Sequence, residues 1–237
     1  MEALLNVDSL TALFTLTLME IVLGIDNIIF ISLLVGKLPE DKREKVRKLG
    51  IFFALFIRIG LLFSISWVMS LKDPLFGVSS MVFSGRDIIL LAGGLFLIAK
   101  STHEIHNKVE IHEDHPEFKG KTSNALSAFL MILLLDIVFS LDSVITAVGM
   151  ANQISVMVLA MVISMAVMLY FAKRIGNFVD KHPTVKILAL AFLILIGVML
   201  VMEGMGKHVE KGYIYFAMFF SLTVEMLNMR YRKKRTH

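Results

Sequence analysis

Carboxylates placed inside apolar helices constrain this chain more than any other feature. The stretch Glu20-Ile-Val-Leu-Gly-Ile-Asp26-Asn27 sits within an apolar run from about Leu10 to Val35. A bilayer span needs about 20 apolar residues, and a charged side chain at its centre costs about 2.5–3.5 kcal/mol. Such residues persist where they are paired or carry function. The pattern returns 116 positions later as Asp136-Ile-Val-Phe-Ser-Leu-Asp142-Ser143, again inside an apolar run. Acid, five residues, acid, small polar residue occurs twice.

Composition places both copies in a membrane. Hydrophobic residues make up 57% of the 237 and charged ones 19%, against about 45–50% and 25% in a soluble domain. The net charge of +4 implies no nucleic-acid partner, because cytoplasmic loops of membrane proteins collect Lys and Arg. Contact with membrane lipids is expected instead. The absence of Cys excludes disulfides, thiol redox chemistry and thiolate metal sites. The first residues lack the basic region of a signal peptide, so the first apolar run is expected to remain as a mature helix.

Seven apolar segments can be drawn, over about 10–35, 49–71, 87–101, 125–150, 153–172, 186–203 and 212–228. The basic residues alternate with them. Six lie between the first two segments, four between the third and fourth, four around the fifth and sixth, and five in the tail. These 19 share one side, while Lys72, Arg86, Lys207 and Lys211 are the four on the other. That bias predicts an outside N-terminus and a cytoplasmic C-terminus in a multi-pass protein of the cell membrane.

Segments 1 and 4 lead the two motif copies, and the three spans between them turn the second half upside down. Arg58-Ile-Gly60 and Arg174-Ile-Gly176 share the 116-residue offset, a weaker trace of the same duplication. Inverted repeats with a midplane site are a common transporter plan. The expected architecture is an all-α integral membrane protein, one transmembrane domain over 1–237. Repeat 1 covers 1–107, a His- and acid-rich cytoplasmic loop 108–124, repeat 2 125–206, and a seventh helix with a basic tail 207–237.

On a straight helix, Glu20 and Asn27 share a face to within about 20°, with Gly24 between them. Asp26 stands about 120° around and about 9 Å along from Glu20. Asp136, Ser140 and Ser143 form the matching face, with Asp142 offset. Inversion sets Glu20 level with Asp142, and Asp26 level with Asp136. Four unpaired carboxylates near the midplane would cost about 10 kcal/mol together, so cations, protons or arginine must offset them. Arg58 is expected as a structural counter-ion. Oxygen ligands without sulfur favour Mg²⁺, Ca²⁺ or Mn²⁺ over Zn²⁺ or copper.

At these residues the sequence resembles the TerC family of integral membrane proteins. The likeness covers nearly the whole chain, through both acidic motifs and the late stretch Lys211-Gly-Tyr-Ile-Tyr-Phe-Ala-Met-Phe-Phe220. It implies a seven-helix fold related to the LysE-type exporters and, for some members, manganese export across the cytoplasmic membrane. By motif position it implies a metal site of Glu20, Asp26, Asn27, Asp136, Asp142 and Ser143, supported by Gly24, Ser140 and Arg58. Gly24 stands where the first copy in the family often has Ser, and Asp136 replaces a longer Glu; both bear on ion choice. No tellurite chemistry is legible here.

Other features read more plainly. His103, His106, His112 and His115 fall in a charged loop, expected to be solvated. Glu203 and Glu225 are expected at the interface, the 16 methionines as lipid-facing packing, and the basic tail against anionic headgroups. The leading expectation is export of a divalent cation, most of all Mn²⁺, in exchange for protons, with no organic cofactor. A membrane scaffold or metallation partner is the alternative, and an organic-cation exporter a third. No nucleophile–base pair stands out at membrane depth, so no enzyme is expected.

Overall fold

The computed structural model describes residues 7–78, 81–109, 124–150 and 153–235. Helix α1 covers Val7–Val35 and α2 Glu40–Phe63, followed by a short α3, Ile65–Ser70. A hairpin of β1 (Pro74–Val78) and β2 (Met81–Ser84) leads into α4, Gly85–Val109. Then come α5 (Ala125–Met150), α6 (Ile154–Lys181), α7 (Pro183–Gly204) and α8 (Lys211–Arg235). Among the described residues, five helices are long and apolar enough to cross a membrane: α1, α4, α5, α6 and α7. The fold is therefore that of a helical integral membrane protein, with the antiparallel hairpin as an addition that periodicity did not announce.

Local chemistry sets the boundaries. Pro39 is the N-cap of α2, and Glu40 and Asp41 fill its first turn, where the helix dipole favours negative charge. The expected second segment, 49–71, is not continuous, because Ser64 leaves helical geometry and divides α2 from α3. The ladder nevertheless bridges the break, through Ser64 N–H to Gly60 O (2.9 Å) and Val68 N–H to Ser64 O (3.0 Å).

The expected third segment, 87–101, is longer at both ends. A reciprocal capping box opens α4: the Ser84 N–H donates to Asp87 Oδ2 at 2.9 Å, and the Asp87 N–H to Ser84 Oγ at 3.3 Å. The helix runs on to Val109, so His103 and His106 lie on its last turns rather than in a loop. His112 and His115 lie outside the described residues. Pro183 starts α7 at a position whose amide has no helical partner. Gly206, at φ +74°, ends α7, with Lys207 N–H reaching Met202 O at 2.9 Å.

The chain forms two compact units that interleave along the sequence: Met1–Asp73 with Lys119–Phe178, and Pro74–Phe118 with Val179–His237. In the first, α5 packs against α1, α2 and α3. One apolar cluster there joins Leu16, Leu62, Val144, Val156, Met157, Ala160 and Met161. The second unit holds the hairpin, α4, α7 and α8, and is built on the crossing of α4 with α7. A Cβ on Gly94 would stand 2.6 Å from Gly197 O, and one on Gly197 would stand 2.8 Å from Gly94 O. Only glycine lets these two backbones meet. Glu203, expected at the interface, is buried in this unit at 7% exposure and pairs with Arg86 at 3.5 Å.

Candidate functional site

Two buried carboxylates of the first unit meet at one guanidinium. Glu20 (3% exposed) points from α1, Asp136 (5%) from α5 and Arg58 (2%) from α2. Arg58 Nη1 meets Glu20 Oε2 at 2.5 Å, and Nη2 meets Asp136 Oδ1 at 2.9 Å. Its Nε also donates to Asp136 Oδ1, at 3.3 Å. A planar guanidinium presents donors along two edges at once, which is why one arginine can serve two carboxylates from different helices. Removing Arg58 would leave two buried carboxylates uncompensated, at about 3–5 kcal/mol.

The remaining groups extend the network from the same faces. Asn27 Nδ2 donates to Asp136 Oδ1 at 3.4 Å, and Ser140 Oγ donates to Asp136 Oδ2 at 3.2 Å. Asp136 thus takes contacts from three helix positions while Glu20 is held by Arg58. Ser143 Oγ donates to the Ser140 carbonyl at 3.3 Å, so its hydroxyl is turned toward its own helix. Arg58 links Glu20 to the level of Asn27 and Asp136, two levels that the helix geometry had set apart. The side chains of Asp26 and Asp142 lie outside the described residues, and so does their placement relative to these levels. Among the described residues, no three His, Asp or Glu side chains converge on one point.

A small cavity opens beside this network, with about 10 Å³ of room, near the size of one water. Its lining includes Asn27, Arg58, Asp136, Met165 and Met168. The two methionines are what sequence reasoning missed. Met157, Met161, Met165 and Met168 are all buried rather than lipid-facing. Sixteen methionines carry no compositional signal for which are special, but Gly24 opposite Ser140 in the repeat was a clue. Met168 Sδ occupies the space that a side chain at Gly24 would need.

The arginine repeat does not carry a repeated role. Arg174 is exposed and lies 4.9 Å from the Tyr170 ring centroid, while Arg58 is enclosed.

Apolar helices of spanning length, enclosing a charged network, define a multi-pass integral membrane protein. The chain belongs to the TerC family: a profile described as "Integral membrane protein TerC family" matches residues 5–237. It is 56% identical to a UPF0053 protein of Haemophilus influenzae, over 94% of both chains. It is 55% identical to the UPF0053 inner membrane protein YgdQ of Escherichia coli K12, over 94% of this chain and 93% of that one. With the E. coli inner membrane protein YoaE it shares 49% identity over 98% of this chain but only 45% of the longer relative. No solved structure matches the chain.

Proposed function

We propose that the protein is a secondary transporter that exports a divalent metal cation, Mn²⁺ above others, in exchange for protons. The observation that carries this reading is the Arg58 guanidinium held between Glu20 and Asp136 in a buried network. Those acids already bind a cation, one that belongs to the protein. A metal ion arriving at Asp136 and Glu20 competes with that guanidinium, so the site is never left as bare carboxylate in an apolar medium.

Charge counting supports the coupling. Glu20, Asp26, Asp136 and Asp142 bring four negative charges and Arg58 one positive, leaving three negative. A divalent ion with one carboxylate protonated reduces this to zero, and so do three protons without the ion, so two protons exchange for each ion. A carrier that moves between faces with a neutral centre avoids the cost of carrying charge through lipid. Metal and proton therefore share the duty of neutralisation, with Asn27 and Ser140 holding Asp136 in place.

In this reading all seven long helices cross the bilayer as a 3+3 inverted repeat with α8 added, and the C-terminus is cytoplasmic. For α2 the support is its two faces: Arg58 is buried, while Phe52, Phe56 and Phe63 are exposed as lipid-facing groups would be. For α8 it is the exposed Tyr213, Phe216, Phe219 and Phe220. The reciprocal approach of Gly94 and Gly197, each on the third helix of its half, is the contact a two-fold relation would generate.

Proteoliposome flux tests the proposal. Mn²⁺ uptake driven by an opposing pH gradient is expected for the wild type and should be lost in Asp136→Asn and Asp142→Asn. Undiminished flux in both variants, or none in a well-folded wild type, overturns it.

A further inference from the structure

We infer that the cleft between the α6–α7 junction and the end of α8 binds a single anionic phospholipid by its phosphate headgroup. This is more than the attraction of a basic tail to a charged surface, and it stands whether or not the protein carries metal.

The cleft belongs to the second unit and is built from two elements. Lys181 ends α6, Pro183 begins α7, and His182 is the one residue between them. Both helices are long and apolar enough to cross a membrane, and two consecutive spans can meet only at a bilayer surface. The junction therefore lies at headgroup depth. From the other side come Arg230 and Arg232, near the end of α8. Between them is an open cleft of about 570 Å³, within the range of about 300–1,000 Å³ typical of small-ligand sites.

Its lining has the two characters of a phospholipid. Lys181, Arg230 and Arg232 bring three positive charges, and among the described residues no carboxylate lines the cleft. Asp180, next in the chain to Lys181, is taken by Lys186 at 3.0 Å and leaves that charge in place. A guanidinium offers paired donors to phosphate oxygens, and lysine a compact charge. Thr184, in the first turn of α7, adds a hydroxyl. Met226 and Met229 supply an apolar, adaptable wall from α8. Free phosphate would use the cations and leave the methionines bare. A lipid uses both, its phosphate meeting the charges while its glycerol and upper acyl chains cover the thioethers. Basic pockets between helices at a membrane surface take anionic headgroups in this way. Three cations without a carboxylate favour two phosphates over one, so a lipid with two phosphodiesters fits best. Bound there, it ties α8 to the start of α7.

The test is titration of the full-length protein in detergent, read as lipid adducts by native mass spectrometry. The probes are diphosphatidylglycerol, phosphatidylglycerol, phosphatidylethanolamine and inorganic phosphate. One diphosphatidylglycerol per chain should bind, about tenfold or more tighter than phosphatidylethanolamine, with phosphatidylglycerol between them. Inorganic phosphate at the same concentration should not displace it. Lys181→Gln with Arg230→Gln should weaken diphosphatidylglycerol by about tenfold or more. Lys42→Gln with Lys45→Gln removes the same charge from α2, outside the cleft, and should leave the affinity unchanged. All four side chains are exposed, so both variants keep the fold. An equal loss in the two variants, equal binding of phosphatidylethanolamine, displacement by inorganic phosphate, or no lipid adduct on the wild type overturns the assignment.

Discussion

The two units close their helices by opposite means. In one, α1, α2 and α5 meet through an arginine shared by two acids. In the other, α4 and α7 meet chiefly through paired glycines, backbone on backbone, with the partly exposed Arg86 of α4 reaching Glu203 of α7 at 3.5 Å. Packing of small residues is the economical way to join helices in lipid. Buried ion pairs are a weak source of stability, since their desolvation offsets their attraction. A chain that closes one crossing with glycine has no packing need to close another with charge. The transport proposal is what gives the charge in the first unit a use.

That contrast can be broken most strongly at Arg58. Arg58→Leu strands Glu20 and Asp136 and should cost about 3–5 kcal/mol in detergent unfolding. On the transport proposal, part of this should return in excess Mn²⁺. Unfolding at the wild-type temperature would mean that the acids do not depend on Arg58. A smaller effect belongs to the glycine crossing. Gly94→Ala drives a methyl against Gly197 O and should cost about 1–3 kcal/mol, leaving any stabilisation by Mn²⁺ intact. Loss of the Mn²⁺ response there would tie the glycine crossing to the metal site. Smallest is Arg174→Ala, an exposed change expected to stay within about 0.5 kcal/mol by the same unfolding measurement. A loss as large as that of Arg58→Leu would restore the two arginines as equivalents.

Much of this was legible in sequence because membranes make polar residues conspicuous. Glu20, Asn27, Asp136 and Ser140 stood out as polar groups in apolar runs, and the structure encloses all four around Arg58. Identity of residue did not reveal environment. Arg47, counted among the loop basics, is buried on α2, because a helix that begins at Glu40 carries it into the packed region. Arg58 and Arg174 share a local motif, but burial depends on which helices pack around each. Met168 was hidden because apolar residues give no contrast with an apolar background. The Ser84-to-Asp87 capping box was legible and unread, since a segment drawn from hydropathy begins only where apolar residues do.

The shared arginine also orders the birth of the protein. Glu20 precedes Arg58 by 38 residues, and Asp136 follows it by 78. As the chain leaves the ribosome, α2 therefore follows an α1 that already bears the opposite charge. The first pair can form before any of the second half exists. Asp136 then arrives at a guanidinium with a free edge, and its pairing joins α5 to the two helices made before it. A residue whose charge α2 alone could not offset thus becomes the landmark by which a later helix finds its seat.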